Sequence, residues 1–223
     1  MQKFDTPAAI SAVLDIPGGR VQIIGANRAD TTVEVLPTNA AKGRDVKAAE
    51  RTTVELRDGV LRISGPAERN QILGPSGSLE VTVQVPAGSS VEAKAAGAEF
   101  RTVGRLGDIT CEGANGAVKI EEAASVRLSA YSSDVTVGRL AGPAEISTQM
   151  GGIHVEEATA GTVVLRTQIG DVTVGVAHGV SAALDADTGH GRIHNALKNA
   201  DGPAGGLTIH ATTQQGDITA RSL

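Results

Sequence analysis

The chain has 223 residues, a net charge of −5 and a pI of about 5.5, so a nucleic-acid backbone is not an expected partner. Its 28 glycines, single tyrosine, two phenylalanines and absent tryptophan exclude aromatic platforms for bases or sugars, and favour a narrow core of small side chains. The single cysteine, Cys111, excludes an intramolecular disulfide, and no apolar run approaches the ~20 residues of a membrane helix.

The first elements of the chain predict a β-rich N-terminal cap. Residues 1–16 contain acids and a proline but no long apolar run, so we expect no signal peptide and a cytoplasmic location. Residues 13–23 alternate like one strand–turn–strand repeat. Thr52–Arg57 and Val60–Ser64 alternate around Asp58-Gly59, which is a strong hairpin signal.

The rest of this cap is less regular. Asn39 to Glu50 predicts a loop or a short helix, and Pro66 to Gly77 predicts a surface loop. Ser78 to Val85 alternates again and predicts a strand. We therefore assign residues 1–90 to the cap and residues 91–223 to a second region, continuous with it.

The second region repeats one phrase, Gly-Asp-Val-Thr-Val, which is clearest at residues 170–174. Seven copies align without a gap over twelve positions, and their central apolar residues are Phe100, Val118, Val135, Ile153, Val172, Ile193 and Ile218. Inward-type residues recur nine, seven and five positions upstream, in steps of two that describe one face of a strand. A Gly, Ser or Ala two positions upstream predicts a tight turn before a second strand.

This pattern predicts an all-β fold: a single-stranded, right-handed, parallel β-solenoid, similar to a β-helix, with about seven C-terminal rungs. Central residues lie 17 to 19 positions apart up to Val172, then 21 and 25 positions apart. The growth falls in the joints between repeats, which solenoids tolerate. We expect the rungs to stack in chain order, roughly 4.8 Å apart.

The same layout resembles an actinobacterial family of β-strand-repeat proteins of unknown function, sometimes labelled "putative adhesins". The matching phrases are Thr52 to Ile63 (TTVELRDGVLRI), Leu79 to Glu92 (LEVTVQVPAGSSVE) and the Gly-Asp-Val-Thr-Val copies. The resemblance covers essentially the whole chain. It implies the repeat fold and brings no catalytic residues with it.

An acidic column is the strongest candidate for chemistry. Solenoid lyases use carboxylates on neighbouring rungs to hold Ca²⁺. In the seven copies, the position before the central residue holds Glu99, Ala117, Asp134, Gly152, Asp171, Arg192 and Asp217. Stacking in chain order separates the first two aspartates by two rungs, roughly 9.6 Å, and inserts the arginine between the last two. The column therefore predicts complementary charges on an exposed face, rather than a metal site.

Other polar groups also favour structural roles. His154 and His194 share a column but are separated by Thr173, so they do not predict a zinc site, and neither do His178, His190 and His210. Cys111 falls in an inward column, where an apolar environment raises the thiol pKa and makes it inert. Four inward threonines predict hydroxyls bonded to each other or to the backbone: Thr148, Thr167, Thr188 and Thr213.

We therefore predict a non-enzymatic scaffold or protein-interaction module, with no catalytic, cofactor-binding or metal-binding residues, and with no membrane insertion. The partner is an unknown protein or a second copy of the chain. Self-association is expected at the last rung, because the strand at Ile218 and Ala220 offers an uncovered edge. The alternative is a carbohydrate-active lyase or hydrolase that uses Asp134, Asp171 and Asp217.

Overall fold

The computed structural model describes residues 1–66, 77–198 and 206–223. The predicted all-β class is confirmed: the strands belong to one large, mostly parallel sheet that does not close on itself. Contacts divide the chain into two compact units, Met1–Ala117 and Val118–Leu223. The predicted boundary after residue 90, the number of rungs and the right-handed winding stay predictions.

The elements of the N-terminal unit, in the parts that the structure describes, are β1 (Gln2–Asp5), β2 (Ser11–Asp15), β3 (Gly19–Ala26), β4 (Asp30–Pro37), α1 (Gly43–Arg51), β5 (Thr53–Arg57), β6 (Val60–Ser64), β7 (Leu79–Pro86), β8 (Ser90–Lys94) and β9 (Ala98–Asn115). Those of the C-terminal unit are β10 (Val118–Ser132), β11 (Val135–Leu140), β12 (Ala144–Met150), β13 (Ile153–Ala158), β14 (Gly161–Ile169), β15 (Val172–Val176), β16 (Ala182–His190), β17 (Ile193–Ala196), β18 (Leu207–Gln215) and β19 (Ile218–Ser222).

The N-terminal unit contains repeats that do not stack in chain order. Strand β2 lies parallel between β6 and β8, and β3 lies parallel between β7 and β9. Residues 13–23 thus form a strand–turn–strand repeat, as predicted, but it lies between two repeats that come later in the chain. Arg20 consequently pairs with Glu80 at 3.4 Å on one side and with Glu99 at 3.2 Å on the other.

Antiparallel strands and a helix cover the outer repeat of this unit. Strand β5 pairs with β6 through the predicted hairpin, whose Asp58 and Gly59 have φ of 50° and 74°. Strand β4 pairs with β7, and β1 pairs with β4. Helix α1 confirms the helical alternative for residues 39–50, and its buried Asp45 accepts a hydrogen bond from the Ser78 N–H at 3.1 Å. Of the predicted loop from Pro66 to Gly77, residues 67–76 lie outside the described residues.

The C-terminal unit departs from the predicted order at its end. Strand β18 lies between β14 and β16, and β19 lies between β15 and β17. The prediction that the Ile218 strand forms the uncovered edge is therefore wrong. Ile218 is 1% exposed and lies opposite Val172 on one side and Ile193 on the other. The physical reason is the length of the two longest connections between repeats. They contain enough residues for the chain to pass over one level of the stack and later to return and fill it.

The inward columns form the core, as the repeat predicted. Val163, Leu165 and Val172 are each 0% exposed, and so are Ile209 and Ala211 in the inserted repeat. Because the columns of adjacent repeats align residue on residue, each apolar side chain packs against its equivalents above and below. Across the described residues, no helix is long and apolar enough to cross a membrane.

The turns of the C-terminal unit approach one another very closely. A Cβ added to Gly170 would lie 2.2 Å from the Gly151 carbonyl oxygen, and one added to Gly216 would lie 2.1 Å from that of Gly170. The predicted threonine hydrogen bonds occupy the same carbonyls. Thr167 donates to the Gly151 oxygen at 2.9 Å, and Thr213 donates to the Gly170 oxygen at 3.0 Å.

Cys111 is fully buried in the N-terminal unit, in register with Ala93 of β8. Burial raises the pKa of its thiol to about 12, and the Glu112 carboxylate adds to the rise. The thiol therefore stays protonated near neutral pH, which confirms the raised pKa that its inward position predicted.

Replacing Gly170 by alanine should strongly destabilise the fold, because the new methyl group collides with the Gly151 carbonyl. We expect the free energy of unfolding, measured with urea, to fall by about 3 kcal/mol. Gly179→Ala is the matched control: this glycine also has positive φ, at 75°, but nothing lies within 4 Å of its Cβ position. The control should lose only about 1 kcal/mol, and equal losses for both variants would contradict the close approach of the turns.

The Cys111 thiol should make stability fall at alkaline pH. Its folded pKa of about 12 lies above the ordinary value of 9.0, so the unfolded chain releases the proton first as the pH rises. Relative to Cys111→Ala, the free energy of unfolding should be unchanged below pH 9. It should fall by up to ~1.4 kcal/mol per pH unit between pH 9 and about 12. A flat difference between the two proteins over this range would show that the thiol ionises while folded.

Candidate interaction surface

The repeat formed by β16 and β17 is the outer repeat of the C-terminal unit, and we call it the edge repeat. In the described chain, β16 pairs only with β18, and β17 pairs only with β19. Its inward side chains are consequently not covered. Ile193 is 46% exposed and Leu184 is half-buried, whereas the equivalent residues one repeat inward, Ile218 and Ile209, are 1% and 0% exposed.

This uncovered edge contrasts with the outer repeat of the N-terminal unit. There β6 and β7 each have a second, antiparallel neighbour, and Leu61, Ile63 and Val81 are at most 1% exposed. The remaining edges of that unit are the short strands β1 and β5, which carry charged side chains such as the Glu55–Arg57 ion pair. Short, charged edge strands resist pairing with other chains.

Charges in the interior of the sheet are matched from one repeat to the next. Glu145 lies within 3.7 Å of Arg127 and 3.4 Å of Arg166, and Arg139 lies 3.9 Å from Glu157. Each exposed pair contributes little to stability. In these pairs, a charged side chain on one repeat nevertheless lies close to an opposite charge on the neighbouring repeat.

The charged side chains of the edge repeat are only partly paired with opposite charges on the one repeat that adjoins it. On β16, Asp185 lies 3.1 Å from His210, but Asp187 is in register with Thr212, which has no charge to offer. Basic residues flank β17: Arg192 lies 3.7 Å from Asp217, and Lys198 is exposed beyond the end of the strand. One strand of the edge repeat is therefore acidic, and the surroundings of the other are basic.

A shallow groove runs along this basic side. It has a volume of about 430 Å³ and is lined by Arg192, Ile193, His194, Asp217 and Thr219. It combines an exposed apolar side chain with both signs of charge. Such a mixture suits contact with another protein better than it suits a small apolar ligand.

The predicted acidic column has a structural role, although its order was wrong. Asp217, and not Arg192, lies next to Asp171: the Asp171 carboxylate accepts the Asp217 N–H at 2.8 Å, and the Asp217 carboxylate accepts the Arg192 N–H at 2.8 Å. Asp134 accepts the Gly152 N–H at 2.9 Å in the same way. The carboxylates thus join neighbouring turns, and Glu99 instead pairs with Arg20 in the N-terminal unit.

The histidines are not brought together. His154 and His194 share a column, but Thr173 and Thr219 both lie between them, because the inserted repeat adds a level that the sequence analysis did not place there. Among the residues that the structure describes, no three His, Cys, Asp or Glu side chains could hold a metal ion. Thr188 donates to the Gly216 carbonyl at 2.9 Å and Thr148 to that of Met150 at 3.0 Å, as the threonine prediction required.

A second groove of about 650 Å³ carries carboxylates on the outer face of the C-terminal unit. Its lining residues are Glu121, Glu122, Gly138, Arg139, His154, Glu156, Glu157, Arg221 and Leu223. Of these residues, the sequence singled out only His154, although the recurring Glu-Glu pairs were visible. The acids stand along open strand faces, one of them in an ion pair with Arg139, and not in a deep cleft of the kind that glycosidases use.

Solved structures are similar to this chain. A protein described as a "putative adhesin" from Parabacteroides distasonis ATCC 8503 is similar, with a TM-score of 0.51 and 14% identity over 98% of this chain and 95% of that one. A "putative adhesin" from Bacteroides fragilis NCTC 9343 has a TM-score of 0.46 and 12% identity, over 100% and 95% of the two chains. A "putative lipid binding protein" from Parabacteroides distasonis has a TM-score of 0.45 and 10% identity, over 98% and 95%.

At these identities the likeness concerns the fold alone. The structure with a TM-score of 0.51 confirms the resemblance to proteins labelled "putative adhesins". The actinobacterial origin and the cytoplasmic location stay predictions. No curated protein is a match for the chain. The family model described as Toastrack DUF4097 matches residues 13–222, which is nearly the whole sequence, and the chain therefore belongs to the Toastrack DUF4097 family.

Proposed function

We propose that the chain is a non-enzymatic protein-interaction module that binds its partner through the edge repeat. This proposal rests on the exposure of Ile193 and the part exposure of Leu184. The equivalent residues in the other repeats of the C-terminal unit are buried. An edge strand with an unpaired side and a part-exposed apolar row is suited to accept a further strand from another chain.

The positions of the carboxylates also support a binding role over a catalytic one. Asp134, Asp171 and Asp217 are engaged as acceptors for backbone N–H groups of the next repeat. A hydrolase would need such groups directed at a substrate, with two carboxyl groups flanking the scissile bond. The similar structure with a TM-score of 0.51 is described as a "putative adhesin", a name that refers to adhesion.

Site-specific photocrosslinking in the cells that produce the protein tests this proposal. A photoreactive benzoylphenylalanine is placed at Ala183, an exposed outward position of β16, and in a second variant at Ser129, an exposed outward position of β10. We expect illumination to give a covalent adduct from position 183 and none from position 129, because only β16 belongs to the edge repeat.

Mass spectrometry then identifies the joined peptide. Adducts from position 129 but not from position 183 would move the contact away from the edge. Failure of both positions to form adducts would contradict a role as an interaction module that uses either sheet surface.

A further inference from the structure

The edge repeat is self-complementary in charge, and this identifies the partner that fits it. Asp185 and Asp187 lie on the outward face of β16, and Arg192 and Lys198 flank β17. A second copy of the chain presents the same acidic and basic strands. Resting on the function proposed above, we propose that two copies associate end to end through their edge repeats, with β16 of one copy against β17 of the other.

The geometry of strand pairing brings these groups together. Along β16 the outward positions alternate with inward ones, so Asp185 and Asp187 stand on one face of the strand. Side chains on the same face of paired strands lie roughly 5 Å apart. An aspartate of β16 then lies close to Arg192 or Lys198 of the second copy, just as opposite charges are paired between repeats in the interior.

The apolar side chains are matched in the same arrangement. Leu184 and Ala186 point inward from β16, and Ile193 points inward from β17. Pairing of β16 with β17 of the second copy continues both inward columns by one level and covers the exposed row. Pairing of β16 with its own equivalent instead sets aspartates against aspartates, which like-charge repulsion disfavours.

The symmetry of this contact gives a closed dimer. Each copy contributes β16 to one half of the interface and β17 to the other half, which is an isologous, two-fold arrangement. Among the described residues, the outer repeat of the N-terminal unit has β4 and β5 as antiparallel neighbours, so its strands β6 and β7 do not present a second uncovered edge of this kind.

The size of the contact sets its expected strength. Strand β16 has nine residues, so the edge repeat is roughly 30 Å long and about 10 Å wide, or ~300 Å² per copy. Stable complexes bury about 800 Å² per partner. We therefore expect association in the micromolar range, strengthened at low salt.

Sedimentation velocity of the full chain, from about 1 to 500 μM, measures this association. The mass should approach about 45 kDa, twice the 22.6 kDa of the chain, and the dissociation constant should rise with salt. The variants Asp185→Lys/Asp187→Lys and Arg192→Glu/Lys198→Glu should each raise the dissociation constant more than about tenfold.

Two further samples separate the proposed pairing from its alternative. A mixture of the two double variants should associate as the wild type does. The single chain that carries all four substitutions should also associate, because its lysines meet glutamates across β16 and β17. If β16 instead pairs with its own equivalent, each double variant exchanges one like-charge contact for another and should associate about as the wild type does, whereas their mixture should associate more tightly than the wild type. That result overturns the proposed arrangement.

The control is a variant in which two charges are reversed at positions away from the edge repeat. Glu156→Lys/Lys119→Glu alters two exposed residues of interior repeats and should leave the dissociation constant unchanged. Circular dichroism verifies that each variant is folded. Recovery in the mixture or the fourfold variant shows that loss in a double variant is not misfolding.

A wild type that stays monomeric at every concentration and salt would overturn self-association, and so would growth into filaments. The photocrosslinking experiment keeps this outcome distinct from failure of the proposed function. An adduct from position 183 with a different protein, together with a monomeric chain, refutes the dimer and supports the interaction module. An adduct between two copies supports both.

Discussion

The glycine turns of the C-terminal unit lie so close together that no Cβ fits between them, and the regular stacking of these repeats depends on this contact. At Gly170 and Gly216 the neighbouring turn carbonyl stands 2.1 to 2.2 Å from where a Cβ would be. Threonine hydroxyls of the preceding strand bind the same carbonyls, and aspartates such as Asp171 bind the N–H groups just beyond them. These bonds fix the register of the turns at Gly151, Gly170 and Gly216. Because the turns fix the register, the inward columns align with one another, and small β-branched side chains are enough to fill the core.

Much of the architecture was predictable, because it follows from local periodicity. The step of two along each strand, the turn glycines, the Asp58-Gly59 hairpin and the inward position of Cys111 all depend on nearby residues. The order of the repeats does not. Each copy presents nearly the same columns, so any copy can stack on any other, and the resulting differences in packing are small. The sequence held two signals of the true order: the longest joints precede the last two repeats, and Asn195 occupies an inward column, which is tolerated only at an outer level.

The candidate site follows from that order and was therefore assigned to the wrong repeat. The expectation of an uncovered edge came from general reasoning about solenoid ends, and that reasoning places the edge at whichever repeat is outermost. A role for the charges of Asp187 and Arg192 can be inferred only when the place of their repeat in the stack is known. In the interior, a charge such as that of Glu145 has opposite charges on the repeats above and below it. At the edge one of those neighbours is missing from the described chain, so matched charges become an incomplete pattern that a second molecule can complete.

The inserted repeat also has a consequence for the order in which the protein acquires its structure. A ribosome releases β16 and β17 before β18 and β19, yet β16 and β17 pair only with these later strands in the described chain. Their native pairing therefore forms only after β18 and β19 have emerged and occupied the level beneath them. The N-terminal unit shows the mirror case, since β2 and β3 emerge first and are enclosed only when β6 to β9 follow. Such non-local pairing slows folding compared with a solenoid that adds each level in turn. It also means that neither unit has its full set of native strand pairings until its last strands have been synthesised.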